Sequence, residues 1–385
     1  MFTLGLLPLV SIASFLALWA LAAAAAPNRD LDRPGRLSLA CLLAGTLIAY
    51  AAASLPVFLA GWALSAAPHA LGLPGPRRGV QSAQIASTAL LAMGTLLLEA
   101  LPGARSAVFA CLMAAVLLRK GIFPFHSWVL DAFGNTSLLP VNLLLHSHLG
   151  GYLLIRFVIP LMPDIANQAL PFVSVLALFT AVFMAIAALA EPVPRRTLGM
   201  LGVSQASFIL AGLGNGTQEG ITGALLHWWT VAFAMSGLCA VYRSLEARST
   251  TVFAPRGHLG FGVRAPRLAV YFAVCGLTLV GLPGTLGFAA EDLLFHGALL
   301  ASPLLGVALP LATALNAITV FRLFSTLFLG KRAIHTTPIP DARLRERLAL
   351  SAVVLLLIGS GLAPGVMIAL RTPSTLQLMQ SLSGR

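Results

Sequence analysis

The chain has 385 residues, 58% apolar and only 9% charged, with a mean hydropathy of +0.92; soluble domains carry roughly a quarter charged residues, so an ordinary water-soluble fold is excluded. The net charge is +12, but the basic residues are scattered through short connections, which argues against a nucleic-acid surface. Cys41, Cys111, Cys239 and Cys275 stand singly in apolar stretches, so neither a disulfide frame nor an iron–sulfur site is expected.

Apolar stretches run over about 3–26, 37–53, 55–72, 80–99, 105–122, 138–161, 168–190, 196–214, 218–242, 267–290, 297–329 and 348–370. A helical span needs about 20 apolar residues, so the pattern predicts an all-α, polytopic bundle of about 12 transmembrane helices. The whole of 1–385 reads as one membrane domain. Its parts are N-terminal helices (1–79), a first half (80–190), a second half (191–330) and a C-terminal loop and helix (331–385). Only a small break near Ser54 divides the second stretch from the third.

Lys and Arg collect on the cytoplasmic side of a membrane. With twelve helices, nineteen of the 24 basic residues fall in odd-numbered connections, Arg119 and Lys120 among them, and only Arg105 in an even-numbered one. The asymmetry supports two separate helices around Ser54 and puts both termini on the non-cytoplasmic side. The alanine run at 21–26 could pass for a signal-peptide cleavage region. No positive residue precedes it and three arginines follow, so the first helix is expected to be retained.

An ionisable group at the centre of a bilayer costs at least ~2.5–3.5 kcal/mol, which makes it a functional candidate. In LLRKGIFPFHSW, Gly121 and Pro124 interrupt the helix after Lys120, and such a break is tolerated where it lines a hydrated cavity. The alternative is that Arg119 and Lys120 snorkel to the headgroups. His146 and His148 lie mid-helix ahead of Gly150 and Gly151, and histidine can pass a proton near neutral pH. On a continuous helix, residues i and i+2 do not share a face, so one of the pair is expected in any given pathway.

His227 shares a helix stripe with Val231 and Met235, and its plain role is an interhelical hydrogen bond. Glu291 follows a second interrupted segment carrying Pro283 and Gly284; it is either the acidic end of a charged axis or a surface carboxylate beside Asp292. Arg156 and Arg322 read as ion-pair or anchoring residues, because arginine hardly releases its proton. Phosphate-binding loops, dinucleotide fingerprints, metal-ligand spacings and nucleophile elbows are lacking from the sequence. No cofactor, metal or catalytic site is therefore expected.

Taken together, Lys120 with FPFHSW at 123–128, the helix at 140–156 ending GGYLLIR, RRTLGMLGVSQASF at 195–208, LLHWWTVAF at 225–233 and GLPGTLGF followed by Glu291 resemble a known family. It is that of the antiporter-like membrane subunits of respiratory complex I, multisubunit (Mrp-type) sodium/proton antiporters and membrane-bound hydrogenases. The resemblance covers roughly 40–330. It implies two inverted five-helix repeats, each with a broken helix, in a bacterial cytoplasmic membrane. It also implies a hydrated proton or sodium path through Lys120, His146 or His148, His227 and Glu291, supported by His126, Arg195, Arg196 and Arg322.

The chain departs from the pattern where Ala63 replaces a glutamate after Trp62 and where Met235 replaces a common lysine; neither can carry a proton. About two of the usual fourteen helices have no N-terminal counterpart. The implied partners are other membrane subunits with a soluble redox arm, as in a NADH:quinone oxidoreductase or hydrogenase. Inorganic-carbon (CO2/bicarbonate) uptake complexes, whose membrane subunit resembles this family, would instead supply a zinc-containing cytoplasmic partner. A degenerate, non-conducting scaffold is the third reading.

Overall fold

The computed structural model describes residues 6–73, 75, 77–249, 258–330 and 340–383. Arg256, Lys331 and Arg332, expected in cytoplasmic connections, lie outside these residues. The described chain forms α1 Leu7–Ala25, α2 Arg33–Ala51, α3 Leu55–Ala70, α4 Arg78–Ala100, α5 Arg105–Lys120, α6 Ser127–Asn135, α7 Leu138–Leu161 and α8 Pro163–Ala190. It continues with α9 Pro194–Gly214, α10 Gln218–Arg248, α11 Pro266–Leu279, α12 Leu286–Ala301, α13 Pro303–Phe328, α14 Leu344–Leu362 and α15 Pro364–Leu382. Eight of these helices are long and apolar enough to cross a membrane, or nine if α14 and α15, bent by 85° to one another, count as one span. No strand occurs among the described residues.

Fifteen helices stand where twelve apolar stretches were expected. The extra three are α6, in the gap after residue 122, and the second members of two divided stretches, α12 and α15. Proline starts many of the helices, in the first turn of α1, α2, α3, α8, α9, α11, α13 and α15, where its missing N–H is one that the helix would leave unpaired anyway. Pro56 does this just beyond Ser54, so α2 and α3 are separate and pack along one another.

The breaks at α5–α6 and α11–α12 are built alike. After α5, the Gly121 N–H donates to the Leu118 carbonyl at 3.2 Å and the Ile122 N–H to that of Leu117 at 3.0 Å. After α11, Gly281 and Leu282 donate to Thr278 and Leu277 at 3.4 and 3.0 Å. Both are Schellman caps, which need a left-handed residue at their turn; Gly121 has φ +68° and Gly281 φ +72°. The glycine matching Gly121 is thus Gly281, whereas Gly284 (φ +84°) belongs to the following turn before α12.

The interior is built from α7, α9 and α10, whose apolar windows are 100%, 100% and 94% buried, against 33–50% for α1, α2, α4, α8 and α13 around them. The outer helices display large apolar side chains such as Phe172, Leu304 and Leu355, as a lipid-facing surface requires.

Charged clamps hold the ends. Arg322 of α13 donates to the carbonyls of Ala188, Leu189 and Glu191 at 2.5, 3.0 and 2.9 Å, capping the C-terminus of α8. Arg243 bonds Asp30 at 2.5 and 2.6 Å and Glu246 at 3.1 Å.

Candidate functional site

Lys120 is the last residue of α5, so the Schellman turn stops the helix with the lysine still inside the bundle. Its side chain is 1% exposed, and Nζ lies 2.5 Å from Nδ1 of His148. Arg119 is equally buried: it donates to the Ser65 hydroxyl at 2.7 Å and sits over the Trp62 ring at 4.6 Å. The two residues therefore lie inside the bundle, not in a connection or at the headgroups. Gly150 faces the lysine stem; a Cβ there would be 3.2 Å from Lys120 Cγ.

The geometry at the paired histidines corrects the one-face expectation. His148 has φ +52°, a left-handed conformation, and separates Leu138–His146 from Leu149–Leu153 within α7. The Tyr50 hydroxyl from α2 donates to the Ser147 carbonyl at this break, and the Tyr152 hydroxyl donates to the Tyr50 carbonyl at 2.7 Å. With the helix interrupted, both imidazoles turn to one side and their ring centroids are 5.7 Å apart. A left-handed non-glycine residue stores local strain and is worth reading as a functional signal. Farther along α7, a π turn spans Leu154–Val158 and contains Arg156.

Proton positions follow from the hydrogen bonds. His146 Nδ1 donates to the Asn142 carbonyl at 3.0 Å, and His227 Nε2 to the Gln205 carbonyl at 3.2 Å. His146 Nε2 and His227 Nδ1 are then acceptors, and both are buried without a protein partner. His148 Nδ1 accepts from Lys120, so its Nε2 carries the ring proton, and it too has no partner. The His148 ring meets Trp228 at 5.3 Å, beside His227 in sequence. Met235 is fully buried next to this group, its methyl and the His146 ring both packing on Gly202.

The remaining candidates divide. Glu291 is 8% exposed and accepts from the Thr313 hydroxyl at 3.3 Å, so it is no surface partner of Asp292. Its Oε1 has no partner, and it lines a cavity of about 400 Å³ shared with Gly281, Asp292 and Thr313. The half-buried His126 packs its ring on Phe123 and Phe183. Arg195 pairs with Glu246 at 2.8 and 2.9 Å and with the Thr136 carbonyl, Arg196 with Glu191 at 3.3 Å. With Arg322, these form anchors at helix ends and do not join the histidine group.

A model described as the transmembrane part of the NADH:quinone oxidoreductase/Mrp antiporter family matches residues 83–316. The chain belongs to this family. A NAD(P)H-quinone oxidoreductase chain 4 from Synechococcus sp. (strain JA-3-3Ab) is 27% identical over 281 residues, 70% of this chain and 52% of its own. This antiporter-family chain thus spans about half the length of the curated relatives it matches. A chain in the structure of respiratory complex I from Thermus thermophilus has a TM-score of 0.84 at 25% identity, with 98% of this chain and 85% of that one covered. A chain of the Mrp complex from Dietzia sp. DQ12-45-1b shares the fold, with a TM-score of 0.81 at 18% identity over 98% and 84% of the two chains.

Several buried polar groups of this antiporter-family member were not among the sequence candidates. His69 lacks a partner at both ring nitrogens, as do Gln84 and Gln205 at both amide atoms. Asn316 donates to Ser204 at 2.8 Å, with its Oδ1 free. Arg371 lies over the Trp229 ring at 4.1 Å. The available signal was a lone polar residue inside an apolar stretch, the same test that selected His227.

Proposed function

We propose that this chain is a membrane subunit of a complex I-like or Mrp-type assembly that moves protons, or sodium, across a bacterial inner membrane. The observation that carries the reading is the Lys120–His148 bond at 2.5 Å inside the bundle, continued by unpartnered ring nitrogens on His146 and His227. Buried polar atoms without protein partners call for ordered water. Water between His148 Nε2, which donates, and His146 Nε2 and His227 Nδ1, which accept, gives a proton a continuous route. Gln205, Ser204 and Asn316 extend it toward Glu291, whose cavity makes the far terminus.

Grouping α5 with α6, α11 with α12 and α14 with α15 leaves twelve segments, and the reading of two five-helix repeats rests on α2–α7 and α8–α13 each containing one Schellman-capped break. The distribution of arginine supports both termini on the non-cytoplasmic side. Neighbouring membrane subunits are the expected partners, because the structural neighbours are named as parts of multisubunit complexes. The inorganic-carbon alternative finds no support in the relatives named above. The scaffold reading rests on Ala63 and on Met235, a thioether packed against the histidine group.

The test is K120A in the assembled complex, with proton movement followed by a pH-sensitive dye in inverted vesicles. Assembly with flux reduced at least tenfold supports conduction. Assembly with unchanged flux leaves the scaffold.

A further inference from the structure

A seam between α1, α10 and α14 forms a site of another kind. Two apolar clefts of about 480 Å³ each share Ala17, Phe233 and Leu356 and so run on from one another. They follow α1 from Val10 to Ala24, roughly 21 Å at 1.5 Å per residue, a large part of the ~30 Å hydrocarbon core. The α1 face lining them is small, with Ala13, Ala17, Ala20 and Ala24.

At one end the cleft reaches Arg345, which donates to the Ala26 carbonyl at 3.3 Å and to Asn28 Oδ1 at 3.2 Å. Beside it a polar cavity of about 260 Å³ is lined by Asn28, Ser244, Arg248, Arg343 and Glu346. The Arg248 side chain is 6% exposed; Nη2 donates to Glu346, but Nη1 is buried without a partner. Glu346 is fully engaged, its Oε1 with Ser244 and its Oε2 with Arg248 and the Arg343 N–H.

We propose that this seam binds an anionic phospholipid, with its phosphate among Arg248, Arg343 and Arg345 and an acyl chain along the α1–α14 cleft. A buried guanidinium N–H without an acceptor is costly to leave unmade, and a phosphate oxygen fits the planar donor fork. The apolar cleft alone would accept any hydrocarbon. Cations at one end of it select an anion joined to a long chain, and basic pockets between helices at a membrane face hold such headgroups.

The test uses the full chain, stripped of lipid in detergent and titrated separately with phosphatidylglycerol, cardiolipin and phosphatidylcholine. Binding is read by native mass spectrometry and by the thermal midpoint. The anionic lipids are expected to stay bound and raise the midpoint, and phosphatidylcholine is not. R345Q, at an exposed position that does not threaten the fold, is expected to weaken binding about fivefold. A20F leaves every arginine in place and is expected to weaken it by filling the cleft. Equal protection by phosphatidylcholine, or unchanged binding in both variants, overturns the proposal. So does cross-linking of A20C to a co-purified subunit in native membranes, which would make the seam a protein interface.

Discussion

The Lys120 stem passes Gly150 on its way to His148. A Cβ at Gly150 would lie 3.0 Å from Val116 Cγ1, 3.2 Å from Lys120 Cγ and 3.6 Å from Lys120 Cδ. G150A therefore pushes the lysine stem by a few tenths of an ångström. The Nζ–Nδ1 contact of 2.5 Å absorbs that shift and remains a hydrogen bond, since the usual range extends to about 3.2 Å. G150L needs room that α5 already fills, and it severs the contact. A hydrogen bond to a charged group contributes about 1.5–3 kcal/mol, so the joined geometry becomes roughly 10- to 150-fold rarer. Overpacking itself costs about 1–3 kcal/mol, so assembly must be followed on native gels alongside function. With dye-monitored proton flux in proteoliposomes of the assembled complex, G150A should lose less than tenfold and G150L at least that much. Full flux from correctly assembled G150L would remove the Lys120–His148 link from the pathway.

Three further outcomes are expected. At His148, with φ +52°, glycine should be more stable than alanine by about 1–2 kcal/mol, the reverse of the usual helix preference; chemical unfolding of H148G and H148A checks this, and a more stable H148A would contradict it. M235K puts an ammonium into a fully buried position beside His146 and should destabilise by roughly several kcal/mol, visible as a lower thermal midpoint; an unchanged midpoint would contradict this. R322A frees three carbonyls at the end of α8 and should cost about 2–4 kcal/mol, with R322K recovering only part because it lacks the planar fork.

Much of this architecture could be read in the sequence because bilayers impose a simple rule: long apolar runs must satisfy their backbone internally. The division at Ser54 and the broken segment after Lys120 both followed from Pro and Gly punctuation. The short helix α6 did not, since its nine residues sit among polar and turn-forming neighbours. Glycine and proline flagged the second break, but its cap falls on Gly281, because only hydrogen-bond geometry tells a helix-ending glycine from the glycine of the turn beyond it. For the histidines, helical periodicity was the wrong ruler: the left-handed residue at His148 reverses the expected directions. Asn316, Gln84 and His69 lay in plain view, but one polar residue in a span does not say whether it points inward.

The Schellman cap after Lys120 has an electrical consequence. A helix that ends inside the bundle brings its negative pole with it, equivalent to about half an elementary charge near its last carbonyls. Such a pole favours a cation beside it, and Lys120 closes α5. A peptide dipole has no proton to gain or lose, so its share of the local potential does not respond to acidification. Because Lys120 is the last residue of α5 itself, the pole travels with the lysine and stays in place beside it when the helix moves.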